Sequence, residues 1–464
     1  MNIKKYIINS ISQVTSVNLF SMIVTAILTL VVPRYIGKYD YGLWQLFVFY
    51  QGYLGFFHFG WNDGIYLRYG GKSYSELNKK NFYSQFWLQM LLEIVVSAVL
   101  VAFMWNNNID RQFIVWQIGI NLIILNSRYM LLYILQTTAR LKEYAIIMFV
   151  DRFFYLLFIL LSLFLHKNNF RSLIWAETLS KSVAYIIAVY YCSDIVCRKI
   201  SDFFFDVHEI LQNLNVGIKL MFANIASILI TGIVRWAIEK NWSVEVFGEI
   251  SLTITLSQLF ITFVTNIGIV IFPLLKKMNQ DSLVKIYQNI KTVLTSVLFF
   301  ILIFFQPGKL ILINWLPNYT NSIYYMGLLL PICFYESKTA LLNNTYLKAM
   351  RKEKEIMYIN CCIMGLSLGF SLITSFILKN LMLSMLSITI LLMLRCLWAE
   401  KIVYQELRVS HKVVWNWDNL IMVIFVFANY YVNGWKGFFI YLFAIIIYFL
   451  GKRKKIINSL QSFC

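Results

Sequence analysis

The sequence predicts an all-α integral membrane protein of about fourteen transmembrane helices with both termini in the cytoplasm. Hydrophobic residues make up 59% of the 464 positions and charged ones only 14%, too little polar surface to cover a water-soluble fold. The apolar residues gather into runs of about 20, the helical length that crosses roughly 30 Å of hydrocarbon. The turns between runs are too short to form domains. In Pro33–Lys72 a Gly-bearing turn (Arg34, Gly37, Lys38, Asp40, Gly42) joins two runs, and the second leaves through a basic, Gly-rich exit, Arg68 to Lys72.

Taken in order, the runs fall at Ile7–Val32, Gly42–Asn62, Phe82–Trp105, Gln112–Gln136, Ala145–Leu165, Ser172–Cys192, Val216–Ile238, Phe247–Pro273, Asn289–Phe305, Ile323–Tyr346, Ile356–Leu378, Leu381–Tyr404, Leu420–Val432 and Gly437–Leu450. The first follows MNIKK and continues to Val32 without a small-residue cleavage site, which reads as an uncleaved helix. With the N-terminus inside, inner segments hold about 25 Lys and Arg against about 9 in the outer turns. One missed helix would scramble that alternation. Tryptophans near predicted ends (Trp44, Trp105, Trp175, Trp242, Trp315, Trp415, Trp435) suit an interfacial belt.

The excess of 41 Lys and Arg over 22 Asp and Glu follows this topology. A nucleic-acid partner would need a basic face on a polar module, and no segment is both polar and long enough to make one. The seven cysteines, mostly inside apolar runs, lack metal-ligand spacing and read as buried, reduced filler. No Gly-rich phosphate loop or nucleophile–base spacing is present, and the histidines (His58, His166, His208, His411) are scattered; no cofactor, metal or enzyme activity is expected.

The chain repeats itself. Tyr41-Gly42 after Asp40 matches Phe247-Gly248 after Glu245, and Ala139-Arg-Leu-Lys-Glu143 matches Ala349-Met-Arg-Lys-Glu353. Two parallel six-helix halves are expected, residues 1–193 and 217–405, with two further helices and a basic tail over 406–464. Between the halves, 194–216 carries Ile200, Phe203, Phe204, Val207, Ile210, Leu211 and Leu214 at helical spacing, which suits an amphipathic cytoplasmic linker or an extension of a neighbouring helix.

The PRYIGKYDYGLWQL turn, the FGWNDGIYLRYGG exit, the LQTTARLKEY turn and the two-half plan resemble bacterial oligosaccharide flippases, which carry O-antigen or exopolysaccharide repeat units. Their superfamily also contains the multidrug and toxin extruders and the lipid II flippases. The resemblance implies alternating access of two halves, an undecaprenyl-diphosphate-linked oligosaccharide as substrate, the cell membrane as location, and polysaccharide polymerase and chain-length machinery as partners. Many relatives have an acidic residue two positions before the Gly that closes the second helix; here that residue is His58, with Asp63 nearby as a substitute carboxylate.

Charges buried in lipid each cost at least a few kcal/mol and seldom face it, so they locate mechanism. The basic ones within predicted helices are Arg128, Arg152, Lys181, Arg235, Lys338, Arg395 and Lys401. Polar stripes run through Gln117, Asn121 and Arg128, through Asn224, Ser227, Thr231 and Arg235, and through Gln85, Gln89, Glu93 and Ser97. A cavity lined by Arg128, Arg235 and Arg395, seconded by Arg152, Lys181 and Lys338, would bind the diphosphate that the resemblance implies. Glu93, Asp151, Glu336 and Asp63 are candidates for coupling to a proton or cation. Structural readings stand beside these: Glu177 and Lys181, four apart, neutralise one another, Asp151 and Arg152 each meet another helix, and Arg235 and Lys401 snorkel. Arg128 and Arg395 have no partner on their own helices. A multidrug or cation extruder of the same superfamily is the nearer rival, and would be expected to use carboxylates. A membrane polymerase or ligase would need a long outer loop bearing catalytic residues, and the longest, Gln306–Ser322, has no Asp, Glu or His.

Overall fold

The computed structural model describes residues 3–275, 280–409, 417–432 and 434–461. Lys276, Lys277, His411, Lys412 and Trp415, which enter the readings above, lie outside the described residues. The described residues contain helices and no strand. Hydrocarbon offers backbone N–H and C=O groups no partners, so each spanning segment must satisfy its own. Among the described residues eleven helices are long and apolar enough to cross a membrane, which makes this a multi-pass membrane protein.

The chain divides into two compact units, Met1–Ile225 and Ala226–Cys464. The first holds α1 (Ile3–Tyr35), α2 (Lys38–Leu54), α3 (Trp61–Tyr69), α4 (Lys79–Phe103), α5 (Ile109–Thr137), α6 (Leu141–Phe164), α7 (Phe170–Tyr191), α8 (Ser193–Val196) and the start of α9 (Val207–Asn241). α5 is its hub and packs against α2, α3, α4, α6 and α7. The second unit continues with α10 (Val244–Leu275), α11 (Gln280–Ile303), α12 (Phe305–Trp315), α13 (Thr320–Leu329), α14 (Pro331–Ser337), α15 (Asn344–Ala349), α16 (Glu353–Ser371), α17 (Leu381–Glu406), α18 (Trp417–Val426) and α19 (Gly434–Gln461).

Three expected spans are built differently. Gly42–Asn62 is not one helix: α2 stops at Leu54, and a bend of turns leads to α3, which takes up the exit read as a loop. Phe59 and Gly60 have φ of 52° and 87° there, the left-handed region that glycine enters without cost. Ile323–Tyr346 is a series of pieces. Pro331, which cannot donate to the preceding turn, separates α13 from α14, and a wide π turn, Lys338–Asn343, separates α14 from α15. Leu420–Val432 falls on the short α18 and its π turn, Phe427–Val432. Gln306–Ser322, expected as an outer turn, is mostly helical, because its Leu310–Ile313 run extends α12. Trp44 is buried rather than at a surface belt.

The same end chemistry recurs in both units about 212 residues apart. Ala139 after α5 and Arg351 after α15 both have φ 58°, and the next N–H, of Arg140 or Lys352, donates at 2.8 Å to a carbonyl five residues back. The Asn169 side chain caps α7 and Asn380 caps α17 in the same way.

The segment 194–216 is in part the beginning of α9. Asp194 of α8 accepts from Tyr74 at 2.6 Å and pairs with Lys79 at 2.5 Å. Burial pushes its carboxyl up, but these hydrogen bonds outweigh burial and hold it below the usual carboxylate value. From Val207 the chain is helical, and its first turns dock on the first unit through Arg68, which donates to Glu209 at 2.7 and 3.1 Å and to Asn213 at 2.5 Å. Asn81 donates to Asp206 at 3.0 Å, and Asn213 donates to Gln85 at 2.8 Å. Beneath this network, α3 and α9 touch backbone to backbone. A Cβ on Gly64 would lie 1.9 Å from the Asn213 carbonyl oxygen, and one on Gly217 would lie 1.9 Å from that of Gly60. Only glycine permits that approach, as in small-residue contacts between membrane helices.

Gly217→Ala is expected to lower stability by about 1–3 kcal/mol through forced separation of α3 from α9. Gly365→Ala, where a Cβ meets nothing within 4 Å, is expected to be neutral or to stabilise by up to about 1 kcal/mol. Thermal unfolding of both variants in detergent checks the contrast; equal melting would contradict it.

Candidate functional site

The bend after α2 opens a cavity of about 460 Å³ inside the first unit, walled by α2, α3, α5, α6, α7 and the Asn224 region of α9. Gly52 and Gly55 leave room on one side, and Tyr129 and Tyr133 of α5 stand on another. Its charged lining is Asp63, Arg128, Asp151, Arg152, Glu177 and Lys181, with His58 beside them. Three of the six expected cationic residues, Arg128, Arg152 and Lys181, therefore converge here, together with two of the expected coupling carboxylates. The expectation of a mainly basic lining is corrected: Asp63, Asp151 and Glu177 match the three cations in number.

Most of these charges are spoken for. Arg128 Nη1 lies 2.8 Å from Asp151 Oδ2, an α5–α6 pair with side chains only 3% and 6% exposed. Lys181 Nζ donates to Glu177 Oε1 at 2.8 Å, one turn away on α7. Arg152 has no ion-pair partner among the described residues, and its buried Nε has no hydrogen-bond acceptor. Asp63 has only the His58 imidazole, whose Nε2 is 3.9 Å away and whose Nδ1 accepts from the Gly60 N–H at 3.0 Å. Among the described residues the cavity thus offers one guanidinium without an ion-pair partner and one carboxylate facing a histidine.

Two of the polar stripes, on α4 and α5, are interhelical glue around this cavity. Asn121 donates to Thr178 at 2.8 Å, and Thr178 donates to Gln117 at 2.9 Å, tying α5 to α7. On α4, Ser97 donates to the Gly119 carbonyl and Gln85 accepts from Trp61. Glu93 is wholly buried outside the cavity; Asn126 donates to its Oε2 at 3.1 Å, while Oε1 has no partner.

The other candidates belong to the second unit. The Arg395 guanidinium donates to Asn360 at 2.9 Å, to Glu336 at 2.8 Å and to Ser227 at 2.7 Å. Lys338 lies 2.8 Å from Glu400 and 3.5 Å from Asp418; Lys291 also pairs with Glu400, and Lys452 lies 3.3 Å from Asp418. Arg235 donates to Ser251 at 3.0 Å and stacks over Phe247. Arg128 and Arg395 have no ion-pair partner on their own helices among the described residues; their carboxylates, Asp151 and Glu336, come from other helices. Glu400 and Asp418 were not singled out from sequence; a count of acids inside the apolar runs would have flagged Glu400, whose neighbour Lys401 drew attention instead. Among the described residues no cluster of His, Cys, Asp and Glu is placed to hold a metal.

No protein-family model matches the sequence, and no curated protein matches it. Solved structures do match over nearly the whole chain. A structure of the lipid II flippase MurJ in an inward closed conformation aligns with TM-score 0.66 at 11% identity, covering 96% of this chain and 99% of that one. An inward-facing multidrug resistance MATE family transporter of the MOP superfamily aligns with TM-score 0.62 at 10% identity, covering 85% and 95%. A MOP superfamily transporter from Pyrococcus furiosus, described as having a binding pocket of reverse polarity, aligns with TM-score 0.50 at 13% identity, covering 86% and 96%. The chain therefore has the fold of these transporters.

Removing one partner of a buried pair strands the other charge. Arg128→Leu is expected to cost about 3–5 kcal/mol, and Arg128→Leu with Asp151→Leu to recover most of that loss. Thermal stability of the single and double variants measures it; a double variant no better than the single would sink the structural reading of this pair.

Proposed function

We propose that the protein flips a polyprenyl-diphosphate-linked oligosaccharide across the cell membrane for surface polysaccharide synthesis, by alternating access of two halves. The single observation that carries this reading is Arg152. It lines the first unit's cavity without an ion-pair partner among the described residues, where an anion would complete its bonding. A guanidinium is suited to a diphosphate oxyanion through its paired N–H donors. The fold shared with a lipid II flippase and the resemblance of the first hairpins to oligosaccharide flippases support a lipid-linked cargo. In this reading Arg152 takes the place first given to Arg128 and Arg395, and Asp63 with His58 is the coupling pair. Fourteen spans, cytoplasmic termini, two six-helix halves joined by the 194–216 linker, and a lateral path for the lipid tail beside the last two helices belong to the same proposal, as does delivery to a polymerase.

A second reading has its own support. The carboxylates Asp63, Asp151 and Glu177 in the cavity, and the MATE fold neighbours, favour an extruder of cationic compounds.

Transfer of an undecaprenyl-diphosphate oligosaccharide across proteoliposome membranes, scored by an external glycan probe, separates the two. Arg152→Ala is expected to lower transfer about 10–100-fold, the loss of charged hydrogen bonds of about 1.5–3 kcal/mol, with partial recovery in Arg152→Lys. Wild-type rates in a folded Arg152→Ala variant would overturn the proposal. A wild type that moves no lipid-linked sugar but extrudes cationic dyes, with loss of extrusion in Asp63→Asn, would establish the second reading.

A further inference from the structure

The second unit holds another cavity, of about 430 Å³, enclosed by α10, α11, α12, α13 and α14. Its origin is local. α11 ends at Ile303, α12 restarts at Phe305, and Gly308 in the first turn of α12 faces open space, where a Cβ would meet nothing within 4 Å. The walls are side chains such as Leu256, Leu298, Leu312 and Leu330, and Lys309 is the only charged residue among the described lining.

Close-packed interiors tolerate few voids larger than a water molecule, and an empty one forfeits dispersion contacts all along its wall. Water does not fill it well, because an ordered water needs two to four polar partners and this wall supplies little beyond one amine. The volume lies within the range of ligand sites, about 300–1,000 Å³. Phe260 and Phe304 on its rim are 44% and 58% exposed, so the way in is apolar. Lys309 is 3% exposed and its ammonium sits 3.9 Å from the centre of the Tyr324 ring, which is itself 39% exposed. A buried ammonium next to a surface tyrosine, at the edge of an apolar chamber, matches a molecule with a long hydrocarbon part and a compact anionic head.

We propose that this cavity holds one acyl chain of an anionic glycerophospholipid taken from the surrounding bilayer, with its phosphate beside Lys309 and Tyr324. The ammonium serves as a point charge for the phosphate, and the tyrosine hydroxyl donates a hydrogen bond to it. The site is independent of the Arg152 cavity and of the transported cargo.

The test uses the full-length protein in phosphatidylcholine nanodiscs containing a small fraction of phosphatidylglycerol with a diazirine in one acyl chain. After photolysis, adducts are expected on the peptides around Leu298–Leu302 and Gly308–Leu312. Gly308→Leu, which fills the chamber, should lower that labelling about tenfold, and unlabelled phosphatidylglycerol should compete about tenfold better than phosphatidylcholine. Lys309→Met should keep the adducts and erase the head-group preference. Leu256→Trp fills the same space from α10 and serves should Gly308→Leu fail to fold. Labelling confined to lipid-exposed positions such as Phe443, or undiminished in a filled variant that melts like wild type, would overturn the proposal. So would equal competition by the two phospholipids, or displacement by undecaprenyl phosphate in preference to phosphatidylglycerol.

Discussion

Neutralising charge where no water can do it is the constraint on which this structure depends. An isolated ion in hydrocarbon is costly, and a buried pair is tolerated only when geometry is good and the remaining polar atoms are met. Each unit buries cations, Arg128 and Lys181 in one, Lys338 and Arg395 in the other. In each case carboxylates within 4 Å answer them, mostly from a different helix. These pairs fix which helix faces which, so the bundle order is written partly in electrostatics rather than in apolar packing, which lipid tails would satisfy equally well. Arg152 stands out among the cations lining the first unit's cavity because Arg128 and Lys181 beside it each have a carboxylate 2.8 Å away.

Backbone irregularity does the rest of the positioning. The bend between α2 and α3 turns His58 and Asp63 towards the cavity and simultaneously delivers Gly60 and Gly64 to the contact with α9. In the second unit the π turn begins at Lys338, where an extra residue per turn re-aims the side chain towards Glu400. Both devices replace a straight helix at a place where a charge is presented; the first uses glycine at Gly60, and the second, with neither glycine nor proline in Lys338–Asn343, uses the wider turn alone.

Much of this was legible in the sequence. Composition and run length establish the all-helical membrane class, and the i to i+4 spacing of Glu177 and Lys181 foretells their pair. The polar stripes were recognisable as facing other helices or water, and those of α4 and α5 are buried between helices. What stayed hidden was anything that depends on which helices are neighbours: Asp151 for Arg128, Glu336 for Arg395, and the meeting of Glu400 with Lys291 and Lys338. A reading along one helix sees partners only within a turn. The break inside Gly42–Asn62 was also concealed, because Gly52, Gly55 and Gly60 are each compatible with a membrane helix and only the approach of α9 makes left-handed geometry pay.

The docking of α9 bears on the order in which the chain is made. Residues 207–225 belong to the first unit although they open the helix that enters the second. Until the ribosome has passed Gly217, the glycine face of α3 has nothing against it and Arg68 lacks its acidic partner. The amino-terminal half of the protein is therefore sealed not by its own last helix but by the first span of the half that follows. The first unit is thus completed only when the chain has entered a helix that runs on into the second.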